Sequence, residues 1–432
     1  MRILCFTLLF FFFNTVLLKS QNTKLEYKEI SGILLSKADS STIPFANIHL
    51  KGTMMGAHSN EAGQFSFRFP LKEKYDTLVI SSIGYEDLEL LASNLRSQEL
   101  NYYLSPEEGM LEEVIVQPTK DTLRAIVGEA VRKIPYNYSR RSFLLKGFYR
   151  EMVVRNNSYV RLLEAAVSVQ DNGFDVPYSR LKIRLDELKK SEDYMDYSFF
   201  EKVYKYFLSG DENNLYKSFE FDGIRGYNRY EEYKLLNDIY SRYDFELDSV
   251  IQSSEGLIYV LSYFSPSFHL GGLQSFGNIY INADDFGILK LEFNSQFFAV
   301  EDSNEARFSK DQEKLFLNSI YKQSVVSYRK IGKKYYLSYI KWKAPVRDAW
   351  QTETEDGENA VQFYDAAFYV TDVKTRRRDF RRVKYKETMA VDEDLFDVEK
   401  SYNEEFWNNF NSVIIDPKLE KAKRDIEEMD SQ

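Results

Sequence analysis

The sequence predicts a mainly β protein with some α: a small N-terminal β-sandwich followed by a larger, curved antiparallel sheet with accessory helices. Three observations carry this. Aromatic residues make up 16% of the chain, with 32 Tyr and 33 Phe, and such residues favour pleated, half-buried surfaces. Short runs alternate strictly, as Phe65, Phe67 and Phe69 do with Ser66 and Arg68, which puts three rings on one strand face. From residue 140 onward, long aromatic runs are separated by short Asn, Gly, Asp and Ser turns, the mark of successive hairpins.

Taken in order, residues 1–20 read as a secretory signal peptide. Arg2 supplies the basic start, Ile3 to Phe13 is almost wholly apolar, and small and polar residues surround Ser20 and Gln21. Asn14 and Thr15 interrupt the run before it reaches the roughly 18 residues of a membrane span, so cleavage is expected over a retained anchor. The only cysteine, Cys5, lies inside this segment; without it, disulfides, thiol catalysis and thiolate metal sites are excluded. Loss of Arg2 and Lys19 takes the formal charge from −10 to −12, which argues against nucleic acid as a partner.

Residues 27–116 form the first unit. Ile30 to Leu35, Ala46 to Leu50, Phe65 to Phe69 and Leu78 to Ser82 are strands, with a turn at Asn60-Glu61-Ala62-Gly63 and a permissive Gly84. Many short strands in so few residues predict a small sandwich. Gly32, Pro44-Phe45-Ala46-Asn47-Ile48, Gly52-Thr53, Gly56, Glu61-Ala62-Gly63-Gln64-Phe65 and Ser82-Ile83-Gly84-Tyr85 together resemble the carboxypeptidase regulatory-like domain. That resemblance implies a transthyretin- or prealbumin-like sandwich. Such domains commonly begin the TonB-dependent receptors of Bacteroidetes and related envelope proteins, and Leu111–Val116 resembles the stretch that joins them to the next domain. His58-Ser59-Asn60 departs from the pattern, where the family often has Thr and Asp.

Residues 117–137 are read as a connector helix. Asp121 can cap it, Leu123, Ile126, Val127, Ala130 and Ile134 form one apolar stripe, and Pro135 is expected to end it. Residues 138–400 form the β-rich domain. Phe143–Arg155 pairs with Tyr159–Gln170, Phe245–Ile251 with Leu257–Phe264, Gly277–Asn282 with Ile288–Asn294, and Val325–Arg329 with Tyr335–Trp342. Phe363–Val373 adds a strand and Tyr194–Leu208 a helix. Residues 401–432 read as a charged helical tail, unlike the aromatic-ended strand of an outer-membrane barrel. The hairpin around Ile279–Phe293 is similar in style to the half-barrel of lipoprotein-localisation carriers, which implies a concave face for acyl chains. The region 120–410, with its Phe406–Asn411 segment, resembles the companion region of envelope proteins described as carboxypeptidase-like regulatory domain-containing.

The one literal enzyme-like motif is His58-Ser59-Asn60-Glu61. A catalytic zinc needs three protein ligands and an open position, and the only other imidazoles are His49 and His269. The motif also falls on a turn of the small domain, so the turn reading is taken. No G-x-S-x-G elbow occurs. Asp284-Asp285 and Glu353–Glu358 are read as solvated turns rather than calcium loops. Tyr335, Tyr336, Tyr339 and Trp342 are read as core, or as the lining of an apolar cavity if the half-barrel resemblance holds. No catalytic, cofactor or metal residue is nominated.

The sharpest charge feature is the run containing Arg376, Arg377, Arg378, Arg381, Arg382 and Lys384. It reads either as an anion or partner contact, with lipid head groups, lipopolysaccharide phosphate or an acidic protein, or as a solvated edge strand whose charges discourage pairing. The expected whole is an exported periplasmic or outer-membrane-associated binding or assembly module, not an enzyme, whose partner is an envelope protein or a surface glycan or lipid. The competing expectations are a half-barrel carrier of an apolar ligand and a carboxylate hydrolase of envelope polymers.

Overall fold

The computed structural model describes residues 27–53, 55–70, 77–95, 100–107, 118–155, 157–195, 214–225, 243–253, 256–265, 272–298, 320–345, 362–391, 393–410 and 417–431. The signal segment, Leu111–Val116, most of the helix expected at Tyr194–Leu208, His269 and Glu353–Glu358 lie outside them.

Seven short strands build the N-terminal unit: β1 (Tyr27–Ser36), β2 (Asn47–Leu50), β3 (Gly56–His58), β4 (Gln64–Pro70), β5 (Thr77–Ser81), β6 (Leu88–Leu91) and β7 (Leu100–Leu104). They form two sheets, ordered β4-β1-β7 and β3-β2-β5-β6, which enclose one apolar core. Phe65, Phe67 and Phe69 are fully buried there beside Ile30, Leu34, Ile48 and Ile80, as their alternation requires. Burial of each such ring contributes about 1.5–3 kcal/mol. The turn into β4 is made by Asn60, whose Oδ1 accepts from the amides of Ala62 at 2.9 Å and Gln64 at 2.8 Å. Gly63 closes that turn at φ +74°, where an added Cβ would stand 2.7 Å from the Leu34 carbonyl, so only glycine fits.

Helix α1 (Lys120–Asn137) begins at Thr119, whose hydroxyl accepts from the Thr122 amide, so Thr119 rather than Asp121 is the cap. The stripe is as expected: Leu123, Val127, Ala130 and Ile134 are buried, with Ile126 half-buried. Pro135 does not end the helix. The Tyr138 amide still donates to the Ile134 carbonyl at 3.0 Å, and the buried Asn137 and Tyr138 hold the last turn by donating to Asp285 O at 2.9 Å and Ile288 O at 2.6 Å. Tertiary anchoring outweighs the local preference before proline.

The second unit is a single ten-stranded antiparallel sheet, ordered β10-β9-β8-β17-β16-β15-β14-β13-β12-β11. Its strands are β8 (Phe143–Arg155), β9 (Ser158–Asp171), β10 (Lys182–Lys190), β11 (Asp244–Ser253), β12 (Gly256–Phe264), β13 (Gly272–Asn282), β14 (Ile288–Phe298), β15 (Ile320–Ile331), β16 (Lys334–Pro345) and β17 (Gln362–Lys374). The chain enters mid-sheet at β8, runs out to β10, crosses to the far edge at β11 and returns strand by strand until β17 pairs with β8. Two edges remain, so the sheet is not a closed barrel.

The inner face carries Leu145, Tyr149, Leu163, Ile279, Leu291, Ile340 and Phe368, packed against α1 and against residues 214–225, which include the short helix α2 (Asn214–Ser218). Trp342 Nε1 donates to Ser218 Oγ at 2.8 Å and its ring stacks on Phe221. Among the described residues, the inner aromatics therefore pack on the chain's own segments. The outer face receives the sandwich and two C-terminal helices, α3 (Glu404–Asn409) and α4 (Pro417–Asp430). Leu419, Ala422 and Ile426 of α4 pack on Met152, Tyr159 and Leu162.

The basic run is not an edge strand. After β17 it folds into two single 3₁₀ turns, Arg377–Asp379 and Tyr385–Glu387. Val383 and Met389 anchor it: the Val383 amide donates to Gln170 Oε1 at 2.9 Å and that of Met389 to the Ile183 carbonyl at 2.8 Å. The segment thereby covers part of the edge strand β10, a different way of blunting an edge from charging it.

Candidate interaction site at the domain seam

The sandwich is seated on the outer face of β15–β17 through β2, β3 and the turn that follows β3, with His58 at the end of β3 and Glu61 in that turn. Asn47 and His49 of β2 alternate with the core residues Ile48 and Leu50 and so leave the sandwich interior, and β3 pairs His58 with Asn47. Opposite them, β16 carries a bulge, its register passing from Tyr328↔Leu337 to Ser327↔Tyr339 and leaving Ser338 extra. A bulge re-aims a side chain, and Ser338 meets the sandwich beside Tyr339.

His58 Nε2 lies 3.0 Å from Ser338 Oγ, and Ser338 Oγ donates to Asn47 Oδ1 at 2.9 Å. Since the hydroxyl proton goes to Asn47, the serine oxygen accepts from His58, which fixes the neutral tautomer with its proton on Nε2. Nδ1 is buried without a hydrogen-bond partner among the described residues, and the imidazole ring packs against the rings of Tyr339 and Tyr369. Burial, with Arg329 adding to it, pushes the His58 pKa from its ordinary 6.5 to about 3; His49 is shifted likewise to about 3 by the same two causes. An imidazole in this setting is a neutral packing group.

Glu61, the other half of the motif, takes a separate role. It pairs with Lys341 of β16 and with Lys418 of α4, and Lys418 also stands 3.7 Å from Asp365. Arg68 Nη1 donates to the Asn408 carbonyl at 3.0 Å, so sandwich, sheet and C-terminal helices meet here. Between them lies a cavity of about 30 Å³ lined by Glu61, Arg150, Met152, Lys341, Asp365 and Tyr369 among others, room for a water molecule. Phe45 packs against Tyr339, the two rings tilted with centroids 5.5 Å apart, under the Lys341 ammonium, and is held at φ +56°. An aromatic residue in the left-handed region costs about 1–2 kcal/mol, strain maintained by the contacts of the seam.

Two further charge clusters lie on the inner face, and both are closed. Arg225 pairs with Asp171 and with Asp222 at 3.2 Å, and Tyr328 donates to Asp222 at 2.5 Å. Burial raises the Asp222 carboxyl, against the lowering effect of Arg225 and of the Tyr328 hydrogen bond. Arg161 reaches Asp394 at 2.9 Å and Glu151 at 3.5 Å beneath the Phe396 ring. Asp284-Asp285 makes a turn on Asn282 Oδ1, with Asp285 paired to Lys330 at 2.5 Å. Among the described residues no three His, Cys, Asp or Glu side chains gather as a metal-ligating group.

The basic residues nominated from the sequence are not part of the seam. Arg376, Arg377, Arg378, Arg381, Arg382 and Lys384 are exposed, with Arg381 paired to Glu387 at 2.9 Å. The seam residues Phe45, Glu61, Ser338 and Lys341 were not nominated; the one signal in the sequence was the stretch His58-Ser59-Asn60, which departs from the domain pattern.

This architecture is a regulatory-type β-sandwich docked on a large open sheet. Residues 30–116 match the CarboxypepD_reg-like domain family, and the sandwich is a domain of that kind. No curated protein matches the chain. Among solved structures, it is similar to a DUF1329 family protein from Desulfovibrio piger at 9% identity, over 58% of this chain and 92% of that one, with a TM-score of 0.21. A LolA superfamily protein from Nitrosomonas europaea matches at 10% identity over 62% and 97%, with a TM-score of 0.18. An outer membrane lipoprotein-sorting protein domain from Vibrio parahaemolyticus matches at 8% over 61% and 97%, with a TM-score of 0.23. Among the described residues, no helix is long and apolar enough to cross a membrane.

Proposed function

We propose that the protein is a non-catalytic binding or assembly module of the cell envelope, with its sandwich held as a fixed part of one body with the sheet. The observation that carries this reading is the use of His58 and Glu61. The pair that would suggest peptidase chemistry is divided, His58 going to Ser338 and Glu61 to two lysines. The sandwich thereby acts as a structural handle, and the surfaces it leaves open, the exposed basic run among them, are the contact surfaces. Export to the envelope follows from the N-terminal segment and is part of this proposal.

A carboxylate hydrolase is the alternative worth testing, because Asp171 and Asp222 converge and Asp222 is raised. Both are buried beneath Arg225, which suits structure better than substrate access. The experiment is incubation of the purified chain with native envelope membranes, measuring retained protein and released soluble fragments together. The module reading expects saturable retention and no time-dependent release. Fragment release that disappears in Asp222→Asn would overturn it.

A further inference from the structure

The basic run does not stand alone at its end of the sheet. Leu144 pairs with Lys374, Phe143 with Asp171, and Ile331 with Lys334, while Tyr138 bridges to Tyr335. These pairings gather the start of β8, the end of β17 and the β15–β16 turn at one end of the molecule. Arg140 and Arg141 are exposed there, as is Lys333. Lys334 donates to the Tyr136 carbonyl, and its ammonium is pushed below its ordinary pKa by burial and by Arg140 close by. Of the twelve residues from Arg376 to Glu387, seven are basic and two acidic, in a chain of net charge −10.

Two tyrosines project from this cationic end. Tyr385 is 87% exposed and Tyr136 70%, the two most exposed large hydrophobic side chains described. Tyr385 stands between Lys384 and Lys386 on a turn fixed from both sides. Glu387 accepts from the Lys384 amide at 3.1 Å and pairs with Arg381, while the flanking Val383 and Met389 are buried. The ring is therefore held outward by a braced turn. Burying neither tyrosine in the fold leaves two amphipathic rings inside a belt of cations.

We propose that this end of the sheet is a docking surface for an anionic lipid bilayer. Lysine and arginine side chains meet the head-group phosphates, while the tyrosine rings enter the interfacial layer, where a flat apolar body with a polar tip is best accommodated. Protruding rings suit a soft planar surface; an acidic protein partner would need a recess to receive them. This inference rests on the reading of the chain as an envelope module and names one partner for it.

The test is co-sedimentation of the full chain with phosphatidylglycerol/phosphatidylethanolamine vesicles and with pure phosphatidylcholine vesicles, over a range of salt. The surface predicts binding to the anionic vesicles at least about tenfold tighter, weakening as salt rises. Tyr385→Ser should lower that affinity several-fold with little change in salt dependence. The triple change R376S/R377S/R378S should flatten the salt dependence. Thermal unfolding checks that both variants, altered only at exposed side chains, keep the parent midpoint; if either does not, Tyr385→Trp, which keeps an interfacial ring, must bind at least as tightly as the parent. Equal binding to both vesicle types, or an unaltered Tyr385→Ser, overturns the proposal. Retention on native membranes without binding to protein-free vesicles removes the lipid surface and leaves the module reading standing, whereas loss of both removes both.

Discussion

Replacing Arg225 by Met will destabilise the β-rich unit by about 3–5 kcal/mol, because it leaves Asp171 and Asp222 buried without their shared cation. The three groups are 2–5% exposed, so water cannot take over the role of the guanidinium. Arg225 also donates to the carbonyls of Gly173 at 3.4 Å and Val176 at 3.1 Å, tying residues 214–225 to the connection between β9 and β10. Urea unfolding followed by tryptophan fluorescence reads this directly, since Trp342 stacks on Phe221 a few residues away. Adding D171N and D222N to the Met variant should restore a good part of the loss, because the unpaired charges are then gone. An Arg225→Met protein as stable as the parent would mean that the cluster is not the structural clamp described.

The sandwich core was legible in the sequence because its signal is local. Phe65, Phe67 and Phe69 alternate, Asn60 and Gly63 dictate the turn before them, and neither depends on distant residues. The hairpins of the large sheet were legible for the same reason, down to Asn157 at φ +66° in the β8–β9 turn. Strand β10 was not, because Lys182–Lys190 carries six charges at the sheet edge and a bulge between Leu185 and Glu187 breaks its alternation. The insertion of β17 beside β8 is a long-range pairing that no local pattern encodes.

The seam was the least legible part. Its groups come from β2, β3, β16, β17, α4 and the turns that hold Phe45 and Glu61, and the residue that seats His58 is a bulged serine whose position depends on register. The basic run showed its charge in sequence but not its shape. Its anchors are single residues, Val383 and Met389, that bond to the Gln170 side chain and the Ile183 main chain, far away along the sequence.

Acid will loosen the seam well before carboxylate titration is complete. The His58 pKa lies at about 3 in the folded protein against its ordinary 6.5, lowered by burial and by Arg329, so the neutral ring is the form the seam holds. The stability due to this group is complete above pH 6.5, declines as the pH falls below it and is fully lost below about 3. At about 1.4 kcal/mol per unit, the whole window is worth about 5 kcal/mol, of which about 2 kcal/mol is gone by pH 5. His49, facing the same Arg329 and lowered for the same reasons, acts in the same direction. Glu164 contributes at the lower end: burial raises it, but Arg150 and Lys189 outweigh burial and hold it below its ordinary value. Its share is present above the unfolded carboxylate value and lost as pH falls through the folded one. Unfolding free energies measured between pH 7 and 4 should therefore slope downward, and His58→Leu should remove about half of the slope between 6.5 and 5, His49 supplying the rest.

The most direct measurement of the seam is an NMR titration of the imidazole C–H resonances in the full chain. There are three histidines in all, and His58→Gln assigns the signal. With the sandwich seated on β16 and Ser338 accepting from Nε2, the His58 resonance will stay at its neutral position as the pH is lowered through 6.5, changing only when the protein begins to unfold. A His58 signal that titrates smoothly with a midpoint near 6.5 in the folded protein would show the ring in water, and the docking of the two units described here would be wrong.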